Sequence, residues 1–220
     1  MSMKEIRTCT IRFANPMSDR EIPLFRGAVI NSIPEDNVLF HNHLNEKYRY
    51  SYPLIQYKLL ENRAAIVCVE EGCDAVSRFL NNFSSEIRLG RETVRLVLDS
   101  SAESAIQAGI DADMHDYRLQ RWLPLNEKNY GQWLSTGSLT GRTELLERIL
   151  TGNILSFGKG TGVQFQDEIK CILTDIHKQY YATYKDVRLM AFDISFKANV
   201  ILPKEIGLGK GAGTGHGILL

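Results

Sequence analysis

The chain has 220 residues, of which 44% are hydrophobic and 24% charged, with 26 basic and 26 acidic side chains. This composition is typical of one folded domain or two small ones, and the balanced charge gives no general attraction for nucleic acid. The sequence contains no run of about 18 apolar residues and no apolar signal core at its start, so we expect a cytoplasmic protein without a membrane partner. The four cysteines form no CxxC pair, which disfavours a disulfide framework and a zinc site.

The first half of the chain has the pattern of one βαββαβ unit. Alternation in EIRTCTIRF predicts a strand, and the apolar stripe of LFRGAVINSI predicts a helix. A strand pair, a second helix and a final strand are predicted in turn from YPLIQYKLL with AAIVCVEE, from CDAVSRFLNNF and from EIRLGRETVRLVLD. This order indicates a ferredoxin-like unit, in which two helices cover one face of the sheet and leave the other face open.

The second half repeats this plan incompletely. Residues 101–113 are small, polar or acidic and indicate a linker or a short helix. DYRLQRWLPL predicts a strand, TGRTELLERILTGNILSF a helix, and EIKCILTDI and VRLMAFDISFKANVIL two further strands. We therefore predict an α+β protein of two tandem ferredoxin-like (βαββαβ) units, the second incomplete, with domains at residues 1–104 and 105–220.

Glycine occupies every other position near the end of the sequence. The glycines are Gly207, Gly209, Gly211, Gly213, Gly215 and Gly217, with Lys210 and His216 between them. One interpretation is a flexible tail. The other is a backbone that a ligand approaches closely, with successive N–H groups open to phosphates and Lys210 adding charge.

Two nucleotide-binding motifs are excluded by spacing. The glycine series lacks the GxGxxG pattern of dinucleotide sites and has no helix after it. GNILSFGKG resembles a P-loop, but its first glycine is one residue too far away and Gly160 replaces the hydroxyl residue. We therefore expect no nucleotide cofactor.

The stretch FHNHLNEKYRY carries the densest chemistry in the sequence: His41, His43, Lys47 and Tyr48. A histidine of ordinary pKa acts as base or acid near neutral pH, and a lysine stabilises an anion, so this set suffices for metal-free RNA cleavage. The stretch continues to residue 63 with further tyrosines and cations, a mixture that suits single-stranded nucleic acid. The alternative is an ordinary surface loop and sheet face.

Four stretches together resemble a known family: FRGAVINSI, LFHNHLNEKYRYSYPLIQYK, LTGNILSFGKGTG and LPKEIGLGKGAGTGHG. They are similar to the CRISPR-associated endoribonucleases of the repeat-associated mysterious protein superfamily, which cut repeat RNA into guide RNAs for antiviral defence. The resemblance implies tandem ferredoxin-like domains, a glycine-rich loop at 207–217, no cofactor and no metal. It implies CRISPR repeat RNA as the partner. Effector-complex subunits and a second copy of the chain are further candidate partners under the other hypotheses below.

The resemblance also assigns roles to residues. His41 matches the family's catalytic histidine, and Lys47 lies where some members have a catalytic lysine. Ile30 stands where those members have a tyrosine, so that role is either vacant or passes to Tyr48, Tyr50 or His43. We assign RNA binding to Arg26, Arg49, Lys58 and the loop residues Gly207, Gly209, Lys210, Gly211, Gly213, Gly215, His216 and Gly217.

Three hypotheses follow. The first is a metal-independent endoribonuclease that cleaves repeat RNA by attack of a 2′-hydroxyl and leaves a 2′,3′-cyclic phosphate. The second is a non-catalytic RNA-binding subunit of a ribonucleoprotein. The third is a protein-interaction module that dimerises through open sheet faces.

Overall fold

The computed structural model describes residues 3–33, 38–41, 43–44, 47–48, 52–81, 83 and 85–220. The chain forms two compact units. The amino-terminal unit comprises Ile6–Ile106 and Gly213–Gly215, and the carboxy-terminal unit comprises the chain up to Glu5, Gln107–Ala212 and His216–Leu220. The division between Ile106 and Gln107 lies inside one long strand, Leu98–Trp122.

The amino-terminal unit is built on an antiparallel sheet. Its strands are β1 (Lys4–Pro16), β4 (Ile55–Leu60), β5 (Arg63–Val69) and the first part of β8 (Leu98–Trp122), in the order β4-β5-β1-β8. Glu61 and Asn62 join β4 to β5 with φ of 51° and 60°. Positive φ at both central residues is the requirement of a two-residue type I′ hairpin, so this turn fixes the β4–β5 register.

Two helices cover one face of this sheet, as the sequence predicts. They are α1 (Ile22–Asn31) and α3 (Glu71–Asn81). The Phe25 ring of α1 lies 5.8 Å from both Phe13 of β1 and Tyr57 of β4 in edge-on geometry. Gly72 admits the close approach of α3, because a Cβ there would lie 2.3 Å from the carbonyl oxygen of Leu54.

The other face of β4 and β5 is also buried, which corrects the predicted open face. Gln56, Lys58 and Val67 are 0% exposed and Ala65 is 1% exposed. The run AAIVCV carries apolar residues on both sides of the strand, which is the pattern of a strand buried on both faces. This face is therefore not available for the dimerisation proposed in the third hypothesis.

Residues 86–122 differ most from the sequence prediction. The expected single strand is a separate hairpin, β6 (Glu86–Leu89) and β7 (Glu92–Arg95), which turns at Gly90 with φ of 65°. The expected linker at 101–113 lies within the 25-residue strand β8. Residues 98–105 of that strand are solvent-exposed, so their polar composition reflects an exposed strand and not a linker.

The carboxy-terminal unit is built on antiparallel strands that follow β8 in the sheet order. β10 (Val187–Ile201) lies between β8 and β9 (Cys171–Tyr184), and β11 (Ile218–Leu219) pairs with β8. Two helices connect β8 to β9: α4 (Glu127–Ser135), which the sequence did not predict, and α5 (Leu139–Thr161). The buried side of β10 carries Phe192, Ile194 and Phe196, each 0% exposed. GNILSFGKG lies entirely within α5, so it forms no phosphate-binding loop.

A short helix and a small hairpin complete the amino-terminal unit. They are α2 (Val38–His41), β2 (His43–Leu44) and β3 (Lys47–Tyr48). Over the residues that the structure describes, no helix combines the length and the apolar character that crossing a membrane requires.

Two glycines of α5 provide a matched test of its packing. A Cβ at Gly158 would lie 2.3 Å from Phe165 Cε2 and 2.9 Å from the Val163 carbonyl oxygen, whereas one at Gly152 would meet nothing within 4 Å. Because alanine is the better helix former, we expect Gly152→Ala to raise the free energy of unfolding by about 0.5–1 kcal/mol. Gly158→Ala should lower it by about 1–3 kcal/mol through overpacking. Chemical denaturation monitored by circular dichroism measures both, and equal shifts would contradict this packing.

Candidate functional site

The short helix α2 is fixed to the core of the amino-terminal unit by Phe40. This side chain is 2% exposed, and its ring centroid lies 5.8 Å from that of Phe79 in α3. His41 is the next residue and the last of the helix. The Phe40 contact therefore determines where the backbone of His41 lies.

The hairpin after α2 brings three further predicted catalytic residues together. His43 pairs in register with Tyr48, and Leu44 pairs with Lys47. α2 packs against β2. At the level of the backbone, His41, His43, Lys47 and Tyr48 thus belong to one helix–hairpin segment, which we call the histidine segment. Arg49 and Tyr50 lie outside the described residues.

Part of the predicted basic and aromatic surface at 47–63 is core. Tyr52 and Tyr57 are 6% and 1% exposed, and Lys58 is 0% exposed. The Gln56 side-chain nitrogen donates to the Tyr52 hydroxyl at 2.9 Å. Because a buried ammonium group does not face solvent, Lys58 makes no surface contact in this structure, contrary to its predicted position. The adjacent Tyr57 and Lys58 in the apolar strand IQYKLL had suggested a polar surface, and this was misleading.

Arg26 of α1 lies near the Tyr57 side chain, on the strand to which the tip of the glycine-rich loop is hydrogen-bonded. Burial raises the pKa of Tyr57 well above its ordinary value, and the charge of nearby Arg26 opposes this rise. The backbone N–H of Tyr57 donates to the Gly213 carbonyl at 3.0 Å. A Cβ at Gly215 would lie 3.5 Å from Ile22 in the first turn of α1. Arg26 and the loop tip at 213–215 therefore both border the α1–β4 region.

The loop tip also covers the edge of the amino-terminal sheet. β4 is the last strand in the sheet order, and Thr214 forms a parallel bridge with Tyr57. An uncovered edge strand presents unpaired N–H and C=O groups that recruit other strands. The tip occupies some of these groups, so the loop has a structural role in this unit.

Tight turns explain three further glycines of the loop. Gly209, Gly211 and Gly217 have φ of 84°, 75° and 61°, which side chains rarely adopt. A Cβ at Gly217 would lie 2.0 Å from the Leu208 carbonyl oxygen. Amides of the loop bind within the carboxy-terminal unit: Leu208 N–H donates to Gly217, His216 N–H to Gly211 and Gly217 N–H to Arg121, at 2.8–3.2 Å. These amides are not open to phosphates, unlike the predicted row of N–H donors.

Lys210 is the one solvent-exposed residue among residues 207–217. His216 is 5% exposed and packs edge-on against Tyr184, with 5.6 Å between ring centroids. The Lys210 ammonium lies 5.9 Å from the centre of the same tyrosine ring. Tyr184 of β9 was missed in the sequence, although KQYYATYK next to a turn carries the same mixture of cations and aromatics that singled out residues 47–63.

The two remaining described histidines are held by carboxylates. His177 lies in β9, with Nδ1 2.8 Å from Asp175 and Nε2 2.7 Å from the Ser195 hydroxyl. His115 Nε2 lies 2.7 Å from Asp111, and a hydrogen bond from His115 lowers the pKa of that carboxyl. No group of three or more His, Cys, Asp or Glu side chains within the described part of the chain is arranged to hold a metal ion.

Comparison with known proteins gives a consistent result. The sequence matches the Cas6b N-terminal domain family over residues 4–106 and the Cas6b C-terminal domain family over residues 109–220. An uncharacterized protein of Methanocaldococcus jannaschii is 29% identical over 136 residues, which cover 61% of this chain and 91% of that protein.

Solved structures of similar fold span the whole chain. A crystal structure of Cas6b aligns with a TM-score of 0.90 at 23% identity, over 99% of both chains. One described as a CRISPR RNA processing endoribonuclease Cas6b aligns with a TM-score of 0.77 at 20% identity, over 99% of both chains. Cas6 of Thermus thermophilus aligns with a TM-score of 0.58 at 10% identity, over 100% of this chain and 99% of that one. These likenesses confirm the predicted α+β ferredoxin-like fold.

The loop offers a second matched glycine pair. Gly217→Ala places a Cβ against the Leu208 carbonyl at a φ of 61°, and we expect it to lower the free energy of unfolding by about 2 kcal/mol or more. At Gly213 the nearest atom to a new Cβ is Pro53 Cβ at 3.4 Å, an ordinary contact, so Gly213→Ala should change stability by no more than about 0.5 kcal/mol. Thermal denaturation compares the two variants. A tolerated Gly217→Ala would contradict the loop conformation.

Proposed function

Because the chain belongs to the Cas6b family, we propose that it is an endoribonuclease that binds CRISPR repeat RNA and cuts it to release guide RNAs. The family match over residues 4–106 and 109–220 carries this proposal. The description of a protein of similar fold as a CRISPR RNA processing endoribonuclease supports it. The predicted catalytic residues also lie together along the backbone of the histidine segment, as this reaction requires.

The proposed reaction is an internal transfer of the phosphodiester and requires no metal. A base removes the proton of a ribose 2′-hydroxyl, and the oxygen forms a bond to the adjacent phosphorus. The bond from phosphorus to the 5′-oxygen then breaks, and an acid gives that oxygen a proton. The products are a 2′,3′-cyclic phosphate and a 5′-hydroxyl, so atoms and charge balance without water or an oxidant.

The histidine segment supplies the groups for this reaction. His41 acts as the base or the acid, because imidazole groups exchange protons near neutral pH. Lys47 stabilises the additional negative charge on the pentacoordinate phosphorus. His43 and Tyr48, which are register partners in the hairpin, are the candidates for the remaining proton transfer.

RNA binding is divided between cations and the glycine-rich loop. Arg26 lies near Tyr57 of β4, and Lys210 provides the exposed charge of the loop. Arg49 remains a candidate contact from the sequence. We assign no direct RNA contact to Lys58, because its side chain is fully buried. Effector-complex subunits and a homodimer also remain predictions from the sequence.

A non-catalytic RNA-binding role is the second candidate, and one observation favours it. Ile30 is apolar and partly buried against the core of the amino-terminal unit, where relatives with the resembling site have a tyrosine. If no other hydroxyl or imidazole takes over that role, the protein binds repeat RNA without cutting it.

A single-turnover assay with labelled CRISPR repeat RNA in EDTA tests the two candidates. We expect the wild type to cut and His41→Ala to cut about 10²–10⁴-fold more slowly with unchanged affinity, because it lacks one proton-transfer group. His115→Ala is the control, since His115 is bonded to Asp111 in strand β8 and should leave the rate unchanged. Binding without any product would favour the non-catalytic role.

The nucleophile is identified by single 2′-deoxy substitutions along the same RNA. The cut should disappear with one substitution only, at the nucleotide 5′ to the broken bond, and the 5′ product should carry a cyclic phosphate. Cleavage that persists with every deoxy substitution would overturn attack by the 2′-hydroxyl, and a requirement for added Mg²⁺ would overturn the metal-free reaction.

A further inference from the structure

The free end of the β9–β10 hairpin carries a row of aromatic and basic side chains. Lys185 and Asp186 form its two-residue turn, with φ of 49° and 62°. Side chains alternate between the faces of a strand, so Lys178, Tyr180 and Tyr184 share one face. Their register partners across the hairpin are Asp193, Ala191 and Val187.

Each tyrosine of this row has a cation beside its ring. The Lys178 ammonium lies 4.9 Å from the centre of the Tyr180 ring, and the Lys185 ammonium lies 5.8 Å from that of Tyr184. Lys210 approaches Tyr184 at 5.9 Å from the glycine-rich loop. We call Lys178, Tyr180, Tyr184, Lys185 and Lys210 the hairpin surface.

The glycine-rich loop keeps Lys210 on this surface. Gly211 leaves room for the His216 ring, since a Cβ at position 211 would lie 2.8 Å from His216 Cδ2. The His216 ring in turn packs edge-on against Tyr184. A cation distant in sequence is therefore held at the end of the hairpin by packing within the carboxy-terminal unit.

The acidic groups near this surface leave a local excess of positive charge. Asp193 remains an anion, and its Oδ1 accepts the backbone N–H of Arg121 at 2.8 Å and the Tyr180 hydroxyl at 3.3 Å, so three lysines stand against two carboxylates. Asp186 lies in the turn itself. The three lysines of the hairpin surface are exposed to solvent, and the two tyrosines are partly exposed.

We propose that the hairpin surface is a binding site for single-stranded RNA, with the lysines on phosphates and Tyr184 and Tyr180 against bases. This inference rests on the proposed function for its choice of RNA. Ammonium groups neutralise phosphates, and aromatic rings stack with any base that is not paired in a helix. Tyr180 and Tyr184 are four residues apart along β9, about 13 Å, so a strand of several nucleotides can contact both.

Fluorescence anisotropy with a labelled 12-nucleotide oligouridine tests the charges. The triple variant Lys178→Gln, Lys185→Gln and Lys210→Gln should weaken binding at least about tenfold and reduce the slope of log K against log salt by about 2. The matched control removes three other exposed lysines of the same unit, by Lys128→Gln, Lys159→Gln and Lys204→Gln, and should bind within twofold of wild type. Equal losses in the two triple variants would overturn the proposal.

Two variants of Tyr184 test stacking. Tyr184→Phe keeps the ring and should retain wild-type affinity, whereas Tyr184→Leu should lose about tenfold. Circular dichroism checks that the leucine variant is folded, and the lysine variants remain informative if it is not. Equal affinity of Leu and Phe variants would overturn base stacking. An equal loss of affinity for a 12-base-pair RNA duplex would overturn the preference for single strands.

The outcome is separable from that of the proposed function. Anisotropy measures oligouridine binding without any cleavage step, so a loss of affinity in the triple variant is read whether or not the wild type cuts repeat RNA. A wild type that binds oligouridine through these lysines but never cuts repeat RNA would contradict the nuclease and sustain the binding site. Normal cutting by the wild type, together with an unchanged oligouridine affinity in the triple variant, would support the nuclease and contradict the binding site.

Discussion

The absence of side chains at three loop glycines is the steric constraint on which much of this structure depends. With a Cβ at Gly217 the chain would collide with the Leu208 carbonyl, and with one at Gly211 it would displace the His216 ring. At Gly209 the collision would be with Asn153, whose side-chain oxygen accepts the indole N–H of buried Trp122 at 2.8 Å. The loop therefore packs onto both the core of the carboxy-terminal unit and the end of β9.

This constraint changes the interpretation of the glycine series. Alternating glycines suggested a bare backbone open to phosphates, yet several loop amides donate to carbonyls of the same unit. What the loop presents to solvent is one lysine, placed beside an aromatic ring. Its glycines thus act indirectly, by allowing turns that position Lys210 and His216 against Tyr184.

The sequence predicted those parts of the fold whose periodicity is strong. Alternation in β1 and β10 and the apolar stripes of α1, α3 and α5 correspond to elements of the structure. It was misleading where exposure or double burial removes the usual alternation: the exposed start of β8 had the composition of a linker, and β4 and β5 are covered on both faces. For the same reason Tyr57 and Lys58 had the pattern of surface residues although both lie in the core.

The placement of His41, His43 and Lys47 in one segment could be predicted from the sequence, because it depends on a short local stretch of chain. The hairpin surface could not be, because Lys210 reaches Tyr184 only through tertiary packing.

The membership of residues 213–215 has a consequence for biosynthesis. These three residues belong to the amino-terminal unit, yet they follow all of Gln107–Ala212 in the chain. Domains commonly fold in order as they leave the ribosome. Here the edge of β4 stays uncovered until the ribosome has translated the carboxy-terminal unit, so the nascent chain carries an incomplete sheet through most of its synthesis.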